Sequence, residues 1–303
     1  MVLRSETAIE PRYRIGGDEY ILVEFAESMS LEANLRAKEA AALVEASKVP
    51  GILEVCPAHV SYLVRYEPET IAPAKLINAL KSITKEALTS ELRPFRTRLI
   101  DMPVLFDDPW THEVLMKYRD RVQEPTMTDA EYLASVNGLS STAALFERLC
   151  EMPHISTTIG FAPGNIWTFQ MTEKDKQIQA PKYLRPRNET PDRAFALGGA
   201  FTAVYPTRSA GGYPIIGRAA PPIYDPSRPI PDLAETGWLV RLGDIFRVRS
   251  ILRDEYDRIQ EEVAEGTYEY RKLDIEFDPN AFFATPKPYI RDLVMPLVEG
   301  DSK

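Results

Sequence analysis

The first hundred residues alternate short apolar runs with two longer segments of helical spacing. Residues 20–25 (YILVEF) follow a Gly16-Gly17-Asp18 turn and predict a buried strand. Residues 30–46 carry apolar side chains at helical spacing and predict a helix. Further strands are predicted at 52–56, 59–66 and 99–106, and a second helix at 74–86. The order β-α-β-β-α-β is that of a ferredoxin-like split βαβ unit, so we expect a small α/β domain over residues 1–100.

The pattern becomes helical over residues 101–154. Helices are predicted at 109–122, 128–137 and 140–150. Thr128 and Glu131 have the spacing of a capping box, and Asn137-Gly138 is a typical helix end. We therefore expect a helical bridge between two β-rich parts.

Residues 155–250 contain many short apolar runs with Gly and Pro at their ends. This pattern is typical of an antiparallel barrel or a sandwich. Residues 251–303 form a further segment, with an amphipathic helix predicted at 251–266 and a half-buried strand at 268–277. The Pro-rich tail after Ala284 leaves two interpretations open, docking on a neighbour and mobility. The fold class is therefore predicted to be α+β.

Length and composition limit the possible function classes. A chain of 303 residues fits two domains, and 44% hydrophobic and 27% charged residues are typical of a soluble globular protein. The formal net charge of −9 argues against a nucleic-acid partner. No apolar run approaches the ~20 residues that span a bilayer, and the first residues lack an apolar signal segment. We expect a cytoplasmic protein with no membrane partner.

The cysteines and histidines of the sequence argue against a disulfide and against a metal site. Cys56 and Cys150 lie far apart in sequence and are interpreted as reduced, packed thiols. The histidines are His59, His112 and His154, and no HExxH or CxxC motif is present. We therefore expect no metal site.

One motif for nucleotide binding and one for a catalytic nucleophile are also absent from the sequence. The chain has no G-x-x-x-x-G-K-[ST] loop for ATP and no G-x-S-x-G nucleophile motif. A Ser-x-x-Lys spacing at Ser82 and Lys85 has no accompanying Ser-Asp-Asn or Lys-Thr-Gly and is interpreted as chance.

The most informative stretch is residues 185–218, RPRNETPDRAFALGGAFTAVYPTRSAGGYPIIGR. It combines an Arg-Pro-Arg, two Gly-Gly pairs, the strand-like run AFTAVY and a final Gly-Arg. Glycine lets the backbone approach a ligand closely, and arginine binds planar anions through paired hydrogen bonds. The segment therefore suits a carboxylate or carbamate.

This stretch and four others resemble the allophanate hydrolase subunit 1 family. That family includes the carboxyltransferase C/D subdomain, the 5-oxoprolinase B-subunit and the Kip-type sporulation kinase inhibitor. The similar stretches are GGDEYILVEF, PGILEVCPAHVSYLVRYEP, GFAPG at 160–164, the GGxxxxVYPxxSxGGYxxIGR pattern at 198–218 and WLVRLGDIFRV at 238–248.

One branch of that family, the carboxyltransferase part of urea carboxylase, is resembled more closely. The branch-like stretches are 107–122, 130–141 and 254–283. There are two departures from the family pattern. GFAPG continues as Asn165-Ile166-Trp167 where the family usually has Phe-x-Tyr-Leu, and residues 186–191 read PRNETP rather than Pro-Arg-Thr-x-Val-Pro. Both lie in the expected ligand loops and leave the acceptor open.

The resemblance implies a fold, partners and cofactors. It implies a ferredoxin-like domain followed by a cyclophilin-like β-barrel, and pairing with a carboxyltransferase subunit of the allophanate hydrolase subunit 2 type. It also implies a biotin carboxylase and a biotin carrier protein, with biotin reaching this chain as carboxybiotin on a partner subunit. Family members are often associated with ATP use, and we expect ATP to be used by a partner rather than by this chain.

Carboxyl transfer needs groups that stabilise negative charge and a base that removes a proton. Arg187 and Arg218 are the predicted anion contacts, Tyr205 is a predicted hydrogen-bond donor, and His154 is a candidate base. The predicted substrate-binding residues are Gly164, Asn165, Asn188, Gly198, Gly199, Ser209, Gly211 and Gly212.

Each of these residues also has a structural interpretation. Paired glycines are often plain turns of a barrel, and for Gly211-Gly212 alone the turn is favoured. Arg218 can form an ion pair across strands, and Tyr205 can be a core residue with a satisfied hydroxyl. His154 is favoured as a strand-edge histidine rather than as a base.

Three functions follow from the resemblance. The leading one is the carboxyltransferase subunit of a biotin-dependent, urea carboxylase-like enzyme that acts on urea or a related small amide or guanidine and needs its partner for activity. The second is a subunit of a 5-oxoprolinase-like, ATP-dependent amide-ring hydrolase. The third is a Kip-type regulatory protein that inhibits a kinase without turnover.

Overall fold

The computed structural model describes residues 8–299 of the chain. Its strands are β1 (Arg12–Gly16), β2 (Tyr20–Glu24), β3 (Ile52–Ala58), β4 (Ser61–Tyr66), β5 (Phe95–Phe106), β6 (His154–Ile159), β7 (Ile166–Gln170), β8 (Arg187–Thr190), β9 (Ala194–Gly198), β10 (Phe201–Val204), β11 (Ser209–Gly211), β12 (Ile215–Ala219), β13 (Ile245–Ser250) and β14 (Lys272–Phe277). Its α-helices are α1 (Leu31–Ser47), α2 (Pro73–Thr89), α3 (Pro109–Lys117), α4 (Asp129–Val136), α5 (Thr142–Glu151), α6 (Arg253–Glu265), α7 (Pro279–Ala284) and α8 (Pro286–Glu299). The chain is therefore a mixture of helices and strands, as the α+β prediction requires.

The chain forms two compact units. The first contains the described residues up to Arg96 together with Thr172–Lys174 and Glu276–Tyr289. The second contains Thr97–Met171, Asp175–Ile275 and the described residues from 290 onward. The predicted boundaries at residues 100, 154 and 250 were drawn where the pattern of helices and strands changes, not where the compact units separate. The first of these boundaries falls inside β5.

The first unit contains a four-stranded antiparallel sheet and the helices α1, α2 and α7. The strand order is β1-β2-β4-β3. Alternate residues of β2 and β4 are buried, and Ile21 and Val64 face each other in the register. The small sheet domain is therefore confirmed, with one difference from the predicted order. The fourth strand is β1, joined to β2 through Gly17 at φ +66°, whereas the predicted last strand (β5) pairs elsewhere.

The second unit contains a closed barrel of seven strands. The order is β12-β9-β10-β7-β6-β13-β5, and β12 pairs again with β5 to close the ring. Six of the seven pairings are antiparallel, whereas β13 and β5 are parallel, with Ile245 opposite Leu99. The strands β8 and β11 form a separate two-stranded antiparallel ribbon, although β9 and β10 lie between them in sequence. The predicted barrel is confirmed.

The predicted helical bridge forms three α-helices, although β5 extends to Phe106 before the first of them. The capping box of α4 is present in both directions, with the Thr128 hydroxyl accepting from the Glu131 N–H and the Glu131 carboxylate accepting from the Thr128 N–H. Asp108 caps α3 by accepting from the N–H groups of Trp110 and Thr111. These local signals place the helices where the sequence predicts them.

The Pro-rich tail after Ala284 forms the helix α8. This helix follows α7, and each of the two begins with a proline at its first position. Proline is tolerated there because the N–H that it lacks has no partner inside the helix. Docking on a neighbour and mobility both stay predictions for this tail.

Candidate ligand-binding site on the barrel

Arg187 is the centre of the predicted site, and its side chain is fully buried. The guanidinium donates from Nε and Nη2 to the hydroxyl of Thr190 at 3.2 and 3.0 Å, and from Nη1 to the carbonyl of Tyr213 at 2.7 Å. Its carbon also lies 4.7 Å from the ring centroid of Tyr183. Arg187 thus connects Thr190 at the end of β8 to the Tyr213 backbone, and its bonds are made within the chain.

Asp129, at the start of α4, and Tyr183, just before β8, support Arg187. The Tyr183 hydroxyl donates to Oδ2 of Asp129 at 2.5 Å, and the N–H of Ile215 donates to the same oxygen at 2.7 Å. Burial raises the pKa of the Asp129 carboxyl to about 6, although both hydrogen bonds and the charge of Arg187 act in the opposite direction. Asp129 therefore changes its charge within two units of neutral pH, beside the predicted anion contact.

Two glycines let aromatic side chains fill the site. A Cβ on Gly198 would lie 2.3 Å from the ring of Tyr213, and a Cβ on Gly211 would lie 2.3 Å from the hydroxyl oxygen of Tyr205. Real Cβ atoms do not approach other atoms so closely, so these positions need glycine. Tyr205 is buried, and this burial raises the pKa of its hydroxyl, with the charge of Arg187 opposing the rise.

The GFAPG loop places an exposed aromatic ring beside these tyrosines. Phe161 has φ +75° and is 64% exposed, which is a strained backbone for a bulky residue. Its ring centroid lies 6.4 Å from those of Trp167 and Tyr205 in edge-on geometry. An exposed, strained aromatic residue at a loop tip is typical of a ligand contact rather than of core packing.

Asn165 and Gly164 hold this loop. The Asn165 side chain donates to the Gly160 carbonyl at 2.9 Å, and its backbone N–H donates to the Ala162 carbonyl at 3.0 Å. Gly164 has φ +74° and leaves room for Tyr224, whose Cβ would lie 2.5 Å from an added Cβ. The structure therefore gives both predicted contacts a part in loop closure, and a role in binding substrate stays a prediction for them.

Several polar groups belong to the β8–β11 ribbon and to the segment just before it. The buried hydroxyl oxygen of Ser209 has no hydrogen-bond partner among the described residues. The Lys182 ammonium lies 5.3 Å from the Tyr213 ring centroid, and Asn188 is exposed, with its carbonyl oxygen accepting from Arg121 at 3.1 Å. Buried hydroxyls are normally hydrogen-bonded, so the Ser209 hydroxyl is a candidate donor to a ligand.

Gly199 and Gly212 use their backbone groups within the chain. Gly199 has φ +58° in the β9–β10 turn and exchanges two hydrogen bonds with Ala180, at 2.8 and 2.9 Å. The carbonyl of Gly212 accepts from the N–H of Tyr183 at 2.8 Å. Both positions correspond to the turn interpretation, and their predicted substrate contacts stay predictions.

His154 makes its polar contacts with other residues. It is fully buried at the first position of β6, with Nδ1 2.8 Å from the Thr202 hydroxyl and Nε2 3.0 Å from the Leu149 carbonyl. Burial lowers the pKa of its imidazole to about 4. Both ring nitrogens are occupied and the ring is not accessible, which supports the structural interpretation and opposes a role as general base.

Arg218 belongs to a different set of contacts. It donates to the carbonyl of Asp192 at 3.0 Å and to its carboxylate at 2.7 Å, and its guanidinium carbon lies 5.0 Å from the Trp110 ring centroid. Asp192 is shared with Arg193, and the two arginines together lower the pKa of its carboxyl against the effect of burial. These contacts correspond to the structural ion pair, and anion binding by Arg218 stays a prediction.

Asp129, Tyr183 and Tyr213 are not among the residues predicted from the sequence to form the site. Asp129 directly follows Thr128 of the predicted capping box and is the first residue of α4. Acidic residues are common in a first helical turn, so the sequence carries no signal that this one is buried. The structure brings together Arg187, Tyr205, Ser209, Gly198 and Gly211, and the three missed residues join them.

Two features are absent from the described residues 8–299. No group of three or more His, Cys, Asp or Glu side chains in this range is placed to hold a metal ion. Within the same range, no helix is both long and apolar enough to cross a membrane.

The chain matches one family model over most of its length. The model is that of the carboxyltransferase domain, subdomain C and D, and the match covers residues 11–234. The match includes the first sheet, the GFAPG loop and the β8–β11 ribbon that contains Arg187.

Relatives in sequence fall into two groups. The chain is 24% identical to the urea amidolyase of Saccharomyces cerevisiae over 269 residues, which is 87% of this chain and 14% of that protein. It is 25% identical to the 5-oxoprolinase B-subunit of Bacillus subtilis over 261 residues, which is 83% of this chain and 98% of that protein. The chain thus spans only a small part of the yeast relative.

A solved structure has the same fold over the whole chain. The urea carboxylase of Kluyveromyces lactis superimposes with a TM-score of 0.82 and 20% identity, covering 100% of this chain and 27% of the other. This likeness includes residues beyond 234, where the family match ends.

Proposed function

Since this chain belongs to the carboxyltransferase subdomain C and D family, we propose that it is the carboxyltransferase component of a biotin-dependent, urea carboxylase-like enzyme. The reaction moves a carboxyl group from carboxybiotin to the nitrogen of urea or of a related small amide or guanidine. The proposal is carried by the extent of the fold likeness to urea carboxylase, which includes α6, β14, α7 and α8.

The chemistry of the barrel site fits a planar group with negatively charged oxygens. The Ser209 hydroxyl is a donor without a partner, Lys182 adds positive charge, and Phe161 offers an exposed ring face. Carboxybiotin, carried by a partner, supplies the carboxyl group when bound. Ser209 would donate to one of its oxygens, and Phe161 would cover the planar group and exclude water.

The buried residues would act by holding these contacts in place. Arg187 fixes the Tyr213 carbonyl and Thr190, and Asp129 with Tyr183 holds Arg187. A preorganised site stabilises developing charge better than a mobile one, since no reorganisation is needed during the reaction. We propose that the proton acceptor comes from a partner subunit, because His154 is fully buried and both of its ring nitrogens are occupied.

The proposal includes partners and a location. A second carboxyltransferase subunit, a biotin carboxylase and a biotin carrier protein would complete the enzyme, with ATP used by the biotin carboxylase. Support comes from the yeast and Kluyveromyces relatives, in which the matched region is part of a much longer chain. A cytoplasmic location is supported by the two cysteines, neither of which forms a disulfide.

A second candidate is a subunit of an ATP-dependent 5-oxoprolinase. The observation in its favour is that the Bacillus subtilis relative is matched over 98% of its length. In that case the same site would bind a cyclic amide, and biotin would play no part.

Purification of the tagged chain from its native cells tests the proposal. The co-purifying proteins are probed with streptavidin, and the complex is assayed with ATP, ¹³C-bicarbonate and urea, with and without avidin. We expect a biotinylated partner and avidin-sensitive transfer of ¹³C to the acceptor. Avidin-resistant, 5-oxoproline-dependent ATP hydrolysis would establish the second candidate instead. A kinase as the only partner would establish the regulatory function.

A further inference from the structure

The first unit contains a groove that has no part in the barrel site. Its volume is about 350 Å³, and it lies along α1. One wall is a stripe of α1 from Leu35 to Ala46, and the other walls are the Leu92–Phe95 segment and Pro279. All of these residues belong to the first unit, so the groove is complete within it.

The groove exists because α1 is apolar on two faces. One face, which includes Ala37, Ala41 and Val44, is buried in the core of the first unit. The stripe along the groove includes Leu43 and two exposed alanines, Ala42 and Ala46. A surface helix normally presents polar side chains to water, so a second apolar face indicates that something covers it. The small alanines leave the space that the cover would fill.

Glu39 gives the apolar groove a specific polar group. Both of its carboxylate oxygens are buried and accept no hydrogen bond. The side chain is 12% exposed, and its nearest cations are Arg93 Nε at 3.3 Å and Arg36 Nη1 at 3.9 Å. Burial raises the pKa of Glu39 against the effect of both arginines. A buried carboxylate without hydrogen bonds needs a donor.

The surrounding charges decide which donor fits. Arg36 already donates to the carbonyls of Ala87 and Ser90, at 2.7 and 2.6 Å. Arg93 is 63% exposed, and the ammonium of Lys38 lies 4.0 Å from the Phe95 ring centroid at the edge of the groove. A cationic ligand would meet three cations, whereas an anionic ligand would meet the buried carboxylate. A neutral group that donates to Glu39 and accepts from Arg93 satisfies both.

We propose that this groove is a binding site for a small apolar molecule that carries a neutral carboxamide. The amide N–H donates to Glu39, its carbonyl accepts from Arg93, and the apolar body lies against Leu43, Ala42 and Pro279. This site is separate from the carboxyl-transfer site and does not depend on the function proposed for it. Its volume is at the lower end of that of small-molecule pockets.

Three probes of equal length and different charge test the proposal. Binding of hexanamide, hexylammonium and hexanoate to the full chain is measured by saturation-transfer NMR at neutral pH. We expect hexanamide to bind roughly tenfold more tightly than either ion, because only the amide satisfies both polar groups. Tighter binding of either ion, or no binding of any probe, overturns the proposal.

Variants locate the site. Ala42→Phe fills the groove at an exposed position and should abolish binding of hexanamide. Glu45→Phe places the same side chain on the same helix outside the groove and should leave binding unchanged. Glu39→Met removes the acceptor and should reduce the preference for hexanamide to within about threefold. Binding that survives Ala42→Phe, or a preference that survives Glu39→Met, contradicts the assignment. Thermal unfolding of each variant verifies that it is folded.

Discussion

The hydroxyl of Tyr183 donates a hydrogen bond of 2.5 Å to Oδ2 of Asp129, and both residues are buried. The ring of Tyr183 also packs against the guanidinium of Arg187. The carboxyl of Asp129, at the start of α4, is therefore connected to Arg187 of β8 through the ring of Tyr183. The charge state of Asp129 and the position of Arg187 are linked.

Asp129→Asn should change how stability depends on pH. The pKa of Asp129 is about 6 in the folded chain, against an ordinary value of 3.8. Because the pKa of Asp129 is raised by folding, this carboxyl stabilises the fold fully at pH values below its ordinary pKa. This stabilisation is lost as the pH rises through 6. Between pH 4 and pH 7 the wild type should lose about 2 kcal/mol of unfolding free energy relative to the variant. Urea titrations at both pH values measure this, and parallel curves for the two proteins would contradict it.

His154→Gln should reveal the opposite trend. The pKa of His154 is lowered from 6.5 to about 4, so the fold is stabilised above pH 6.5 and loses that stability as the pH falls towards 4. Between pH 7 and pH 5 the wild type should lose about 2 kcal/mol relative to the variant, which does not titrate. Urea titrations of each protein at the two pH values test this. Equal losses in the two proteins would show that His154 is protonated in the fold.

Gly198→Ala should disturb the site, whereas Gly212→Ala should not. The added methyl at Gly198 meets the Tyr213 ring at 2.3 Å, but at Gly212 the nearest atoms are those of Pro186 at 3.9 Å. We expect Gly198→Ala to lower the free energy of unfolding by about 1–3 kcal/mol and to reduce ligand binding, because the ring must move. Gly212→Ala should stay within about 0.5 kcal/mol of the wild type. Equal effects of the two substitutions would contradict the assignment of Tyr213 to the site.

Phe161→Gly and Phe161→Ala form a matched pair. Both remove the exposed ring, so both should weaken ligand binding to the same extent. They differ in backbone preference, because φ +75° suits glycine and strains alanine. The Gly variant should therefore be more stable than the Ala variant by about 1 kcal/mol, as measured by thermal unfolding. An Ala variant of equal or greater stability would show that the loop relaxes.

Arg218→Ala should lower stability whether or not Arg218 contacts substrate. The substitution removes two hydrogen bonds to Asp192 and the packing on Trp110, and we expect a loss of about 1–3 kcal/mol. Transfer activity of the reconstituted complex, measured on folded protein, separates the two roles. Activity that follows the folded fraction assigns Arg218 to structure, whereas a further loss supports the predicted anion contact.

Local signals in the sequence predicted local structure well. The Thr128–Glu131 capping box and the strand at 20–25 depend on neighbours in sequence, and both are present. The environment of His154 was less predictable. Whether a barrel strand points a side chain inward depends on the register with strands distant in sequence, and His154 faces Gln170 across one such pair.

The site itself was predicted in part for the same reason. The Gly-rich block indicated Arg187, Tyr205 and Gly198 because glycines and arginines at close spacing are visible in sequence. Asp129 was missed because its burial results from packing against Tyr183 and Ile215 rather than from its neighbours. Buried ionisable groups of this kind become visible only once the fold brings distant segments together.

The parallel pairing of β5 with β13 has a consequence for biosynthesis. β5 leaves the ribosome before the strands that it needs on either side, β12 and β13, and most of the barrel sequence lies between them. The first unit also depends on a later segment, because residues 276–289 belong to it. Neither unit can be completed until these later segments have been made, and β5 emerges as an unpaired apolar strand. Contacts between distant segments form slowly, so the nascent chain should rely on chaperones that shield exposed strand edges.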